Sequence, residues 1–178
     1  NLVDSALELW LTAGRYAAEF EKRMISFFRA NDFLLVNSGS SANLLMISVL
    51  MSKQLEQHMH PGDEIVTPAV TFPTTLAPIV QRGLIPVLVD CELGTYNVSA
   101  QKISEAISEK TRALFIPHTL GNPCEMDGIM DIARENHLYV LEDCCDALGA
   151  TFDDKLVGSF GDMASLSFYP AHHITMGE

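Results

Sequence analysis

Basic residues are scarce in this chain. Lys and Arg total 11 against 23 Asp and Glu, a formal net charge of −12. A chain with that balance has no broad surface to neutralise phosphates, which argues against a nucleic-acid or anionic-membrane partner. Long apolar runs are also missing. Although 48% of the residues are hydrophobic, no run approaches the roughly 18 to 20 residues of a membrane span. The opening NLVDSALELW has no basic region of the kind that starts a secretory leader. It begins without Met and the closing MGE carries no mark of a natural stop, so the sequence reads as an excised domain. Cysteine is sparse at four: Cys91, Cys124, Cys144 and Cys145. Adjacent cysteines rarely pair with each other, and nothing points to secretion, so the expectation is reduced thiols in a cytoplasmic protein. Repeats, low-complexity linkers and a Gly-Lys-Ser/Thr phosphate loop are lacking too.

What is present is alternation. The 178 residues suffice for one domain with a sizeable core. GRYAAEFEKRMISFF (14–28) has helical apolar spacing. FLLVNSGSSANLLMISVLMSKQL (33–55) runs from a short apolar strand through a Ser/Gly turn into a helix. Then come a strand at 63–70, a helix at 73–83, a strand at 84–91, a helix at 100–110 that Ser99 is placed to cap, and a strand at 112–119. A helix at 126–137 and strands at 138–145 and 161–170 complete the series. This order predicts an α/β fold, a mainly parallel sheet with helices on both faces. Ligands of such sheets bind outside the carboxyl ends of the strands. The polar clusters NSGSS, TPAVTF, PHTLGN, EDCCD and SFYPAHH all fall at those ends.

Each cluster has a chemical reading beside an ordinary one. In NSGSSAN (37–43), Gly39 lets backbone approach closely, and Ser40 and Ser41 add hydroxyls to the free N–H groups of a helix start. That is a phosphate cradle or a plain capping turn. In VLEDCCDALG (140–149), Asp143 directly follows an apolar strand, where it is at least half buried. A carboxylate there holds a protonated ring nitrogen or a metal, although no neighbouring His or Asp has ligand spacing; the ordinary reading is a solvated acidic loop. In TPAVTFPTT (67–75), Phe72 stacks on a planar ring or belongs to the core. In IPHTLGNPCEMD (116–127), His118 contacts a ligand or is a hydrogen-bonded strand-end histidine, and Asn122 lies in the turn after it. A phosphate cradle, a stacking aromatic and a carboxylate for a ring nitrogen together point to pyridoxal phosphate. The missing part is its lysine. Lys53 and Lys102 fall on helices, Lys110 at a helix end and Lys155 in a turn, and none follows the last strand.

In order along the chain, GRYAAEFEKRM, NSGSSANLL, GDEIVTPAVTFPTT, HTLGNPCEMD, LEDCCDALGA and GDMASLSFYPAHHITMGE resemble the DegT/DnrJ/EryC1/StrS family of sugar aminotransferases. The resemblance covers nearly the whole chain. It implies the fold-type-I pyridoxal phosphate architecture, with residues 1–178 as an incomplete cofactor-binding large domain that lacks the last sheet strand and the small C-terminal domain. It also implies that Ser40, Ser41 and Ser167 contact the cofactor phosphate, that Phe72 stacks on the ring and that Asp143 pairs with the ring nitrogen. Asp146 falls near the ring hydroxyl, and His118 and Asn122 line the site.

The family usually reads S-F-x-P-x-K in its last motif, and here His172 stands at the lysine position. That replacement marks the family's dehydratase branch. Imidazole gives no stable covalent link, so the cofactor stays as pyridoxamine phosphate, and a group titrating near neutrality is suited to act as base. The implied activity is C3 dehydration of a nucleotide-linked 4-keto-6-deoxyhexose, CDP-4-keto-6-deoxy-D-glucose, on the route to 3,6-dideoxyhexoses of bacterial surface polysaccharide. By the resemblance Cys145, with Cys144 as its only rival, matches the first ligand of a [2Fe–2S] cluster whose other ligands lie beyond this chain, with a reductase to deliver the electrons; the ordinary reading of Cys145 is a small core residue. A homodimer is expected. The alternatives are the GDP-4-keto-6-deoxy-D-mannose 3-dehydratase, an ordinary sugar aminotransferase, and an inactive homologue.

Overall fold

The computed structural model describes residues 2–10 and 12–176. Two compact units divide between Asn37 and Ser38. The first holds helices α1 (Leu2–Leu7) and α2 (Arg15–Phe28). The apolar spacing over 14–28 thus gives the expected helix, closed by Arg29 in the left-handed region. The strand expected at Phe33 to Val36 is absent: these residues form no ladder. The N–H of Leu35 is taken instead by the Glu21 carboxylate at 2.8 Å, and the Phe33 ring meets Phe20 edge-on at 5.9 Å.

The second unit alternates helix and strand: α3 (Gly39–Leu50), β1 (Glu64–Pro68), α4 (Pro73–Gln81), β2 (Ile85–Val89), α5 (Ala100–Ala106), β3 (Thr111–Pro117), α6 (Met126–Glu135), β4 (Tyr139–Asp143), β5 (Thr151–Phe152), β6 (Lys155–Leu156) and β7 (Met163–Ser165). Five strands form one sheet in the order β2-β1-β3-β4-β7, every pair parallel. Consecutive residues of each strand point to opposite faces. Val66, Leu114, Ile116 and Val140 therefore pack with Ile103, Met126 and Ile129 of α5 and α6. Ile65, Ala113, Phe115 and Leu141 pack with Met46, Ile47 and Ile79 of α3 and α4. Burial on both faces is what turns these strands into near-continuous apolar runs, and each such side chain contributes about 1.5–3 kcal/mol.

The last strand is shorter than the sequence suggests, three residues only. The β5–β6 hairpin, missed in the sequence, turns at Asp153 and Asp154, both at positive φ, as a two-residue hairpin loop demands. Ser99 sits at the N-cap of α5 without capping it; its hydroxyl donates to Glu92 at 3.2 Å. No helix among the described residues is long and apolar enough to cross a membrane. The chain leaves β1 toward β2 on one side and returns to β3 on the other. In parallel sheets such a reversal is where ligands bind, outside the carboxyl ends of the strands.

Candidate functional site

Register brings the strand ends level: Pro117 pairs with Asp143 and Asp143 with Ser165. Asp143 ends β4 at 7% exposure. Its Oδ2 accepts from Asn43 Nδ2 at 2.8 Å and from the Thr75 hydroxyl at 2.7 Å. Its Oδ1 accepts from the Cys145 N–H at 3.2 Å and the Ser165 hydroxyl at 3.4 Å. One carboxylate thus joins α3, α4, β4 and β7. Among the described residues no Lys, Arg or His pairs with it, so its charge is met by neutral donors alone and is left available to a cationic ligand. Sequence reasoning missed Asn43 and Thr75. Asn43 is four residues past Gly39 on the same helix face, but its burial shows only in the structure.

At the start of α3 the Ser38 hydroxyl accepts the Ser41 N–H at 3.2 Å. Ser40 is exposed and Ser41 half-buried. A Cβ on Gly39 would stand 2.8 Å from Cys145 Sγ and 2.9 Å from Ser167 Cβ. Only glycine lets the helix start close on these two residues. Gly39, Ser40, Ser41 and Ser167 are therefore brought together at a helix N-terminus, where N–H groups favour an anion. Phe72, at the N-cap of α4, is 68% exposed and belongs to no core cluster.

On the loop after β7, His172 Nε2 lies 3.3 Å from Asp146 Oδ1, the histidine side chain being 19% exposed. Its Nδ1 is buried and has no partner. His173 is exposed. Three lysines of the same unit lie elsewhere. Lys155 lies 4.1 Å over the Phe160 ring, Lys102 pairs with Glu92 at 3.1 Å, and Lys53 lies past the end of α3 rather than on a helix.

His118 is a correction. Both its ring nitrogens are used inside the protein, Nε2 donating to Glu142 at 3.1 Å and Nδ1 accepting the Cys124 N–H at 3.1 Å, and its side chain has no exposure. It stands behind the site. Glu142 also accepts the N–H groups of Gly158, Phe160 and Gly161 at 2.7–2.8 Å. Burial alone pushes the Glu142 carboxyl up, but the His118 and backbone hydrogen bonds outweigh it and hold it below the usual carboxylate value. His118, Glu142 and Cys144 bring possible metal-ligand atoms within 4.8 Å, a grouping that spacing in the sequence did not show. Both Glu142 oxygens are already engaged there, and burial raises the Cys144 thiol well above its ordinary value. Asn122 is exposed, its amide donating to the Thr95 carbonyl at 3.4 Å. Burial, then the Asp143 carboxylate, pushes the Cys145 thiol up.

An anion cradle, an exposed aromatic, a buried carboxylate facing no cation and an imidazole with an unpartnered nitrogen fit a phosphorylated pyridine cofactor. Comparison with known proteins agrees. A dTDP-4-dehydro-2,6-dideoxy-D-glucose 3-dehydratase of Saccharopolyspora spinosa is 54% identical over 99% of this chain and 38% of its own length. The lipopolysaccharide biosynthesis protein RfbH of Salmonella typhimurium is 49% identical over 99% of this chain and 41% of its own. The solved structure of the Escherichia coli GDP-4-keto-6-deoxy-D-mannose-3-dehydratase, with bound hydrated PLP, superposes with a TM-score of 0.90 at 36% identity, covering 97% of this chain and 44% of that one. The chain thus spans about two fifths of the length of the curated relatives it matches. The model of the DegT/DnrJ/EryC1/StrS aminotransferase family matches residues 1–178, and the chain belongs to that family.

Proposed function

We propose that this chain carries the cofactor-binding part of a 3-dehydratase for nucleotide-linked 4-keto-6-deoxyhexoses, with pyridoxamine phosphate as cofactor and His172 as base. One observation carries the reading: at the strand ends that bear Asp143 and Ser165, the loop after β7 places His172 beside Asp146 at 3.3 Å, where the family has its lysine. The start of α3 with Ser40, Ser41 and Ser167 holds the phosphate. Phe72 covers a ring face, and Asp143 holds the ring nitrogen in its protonated form. When bound, the cofactor supplies an amine for the sugar ketone and a ring that spreads negative charge. His172 takes a proton at its lone-pair nitrogen and returns it to the departing hydroxyl. Having no amine, it forms no tether to the cofactor, which disfavours simple amino-group transfer.

Three finer parts belong to the same proposal. The sugar is CDP-linked, although two relatives are named for dTDP- and GDP-linked sugars. Cys145 is one of four [2Fe–2S] ligands in the full protein, fed by a reductase. One thiol is not a ligand set, and a raised thiol pKa means that a thiolate there needs a metal to form. The protein is a homodimer.

The test uses the full-length protein loaded with pyridoxamine phosphate and offered CDP-, dTDP- and GDP-linked 4-keto-6-deoxy sugars. C3 dehydration is expected, fastest with CDP, and His172→Asn should lower it at least about 100-fold while cofactor binding persists. Dehydration at the unmodified rate in His172→Asn, or an amino sugar as the product, overturns the reading. Iron and acid-labile sulfide should be present and fall in Cys145→Ser; iron-free active protein removes the cluster.

A further inference from the structure

The contact between His172 and Asp146 has a direction. An ionised carboxylate only accepts hydrogen bonds, so the nitrogen that faces it carries the proton of the neutral ring. That nitrogen is Nε2, 3.3 Å from Asp146 Oδ1. The lone pair then resides on Nδ1, the buried atom without a partner. The ring is braced by Tyr169, in edge contact at 5.8 Å, and the backbone by the His172 N–H donating to the Tyr169 carbonyl at 2.9 Å. Asp146 is placed in turn. A Cβ on Gly121 would stand 2.7 Å from its carbonyl oxygen, so a glycine, at φ +81°, lets the loop after β3 close on it.

The geometry points to Asp146 as the positioning residue of His172: it fixes the Nε2–H tautomer and leaves Nδ1 as the atom that takes the proton. This rests on the reading of His172 as base and gives Asp146 a role apart from any contact with the cofactor ring. At 3.3 Å the contact is an ion-pair approach and not yet an aligned hydrogen bond, as is common before substrate fills a site.

The test is ¹⁵N-histidine NMR of the full-length, cofactor-free protein, with His172→Asn identifying the His172 resonances. The unmodified protein should show the Nε2–H tautomer. In Asp146→Ala, where the side chain removed is half exposed, the tautomer preference should vanish. Asp146→Glu should restore it in part. An unchanged tautomer in Asp146→Ala overturns the inference. The readout needs no turnover, so it separates from the function. If His172→Asn leaves dehydration intact while the tautomer follows Asp146, the function fails and the pairing stands.

Discussion

At Gly39 the absence of a side chain does chemical work, because Cys145 Sγ and Ser167 Cβ occupy the space a Cβ would need. Gly39→Ala should cost about 1–3 kcal/mol in stability and weaken pyridoxamine phosphate binding at least about tenfold by displacing Ser167. Chemical denaturation and cofactor titration check this, and unchanged affinity would contradict the cradle. Gly39, Ser40, Ser41 and Asp143 were legible in the sequence because each lies where a strand end or helix start imposes its own local chemistry. Asn43 and Thr75 were not. Their common partner is Asp143, 100 and 68 residues away, and no local pattern announces a bond of that length. His118 allowed two readings until Glu142, 24 residues on, was found against it. Phe72 also allowed two, and its exposure removes the core one.

At the scale of elements, Glu142 fastens the end of β3, through His118, to the loop that leads into β7. Removing its charge leaves four donors poorly met, and Glu142→Gln should cost about 3–5 kcal/mol. Its pKa is lowered on folding. The unfolded chain therefore binds the proton more readily, and the stabilisation is complete above the unfolded value of about 4.3 and lost as pH falls through the folded one. Urea midpoints between pH 7 and 3 should show a steep acid limb in the unmodified protein and a shallower one in Glu142→Gln. Equal slopes would assign the limb to other carboxylates. The long elements were legible because burial on both faces writes itself as apolar runs. The β5–β6 hairpin was not, since two-residue strands carry no periodicity. The segment at 33–36 looked like a strand because it is apolar, yet a strand is defined by its neighbour, and Leu35 donates to a side chain instead.

For the molecule as a whole, the sheet order sets a gradient of protection. β3 lies between two partners with both faces covered, and β2 has a neighbour on one side only, with Ile85 and Leu88 exposed. Hydrogen exchange of the full-length protein should be slowest in β3 and β4 and measurably faster in β2. Equal protection of β2 and β3 would mean that something covers that edge. The parallel sheet followed from the alternation of elements along the chain. The division into two units did not, because no shift in composition marks Asn37 and Ser38.

The loop that bears His172 is clipped to itself: the Met176 N–H donates to the Phe168 carbonyl and the His172 N–H to the Tyr169 carbonyl. None of these bonds belongs to the sheet. The position proposed as the base is thus held by its own loop, outside the ladder of the sheet. In evolutionary terms, the side chain at this position can change without breaking a hydrogen bond of the sheet.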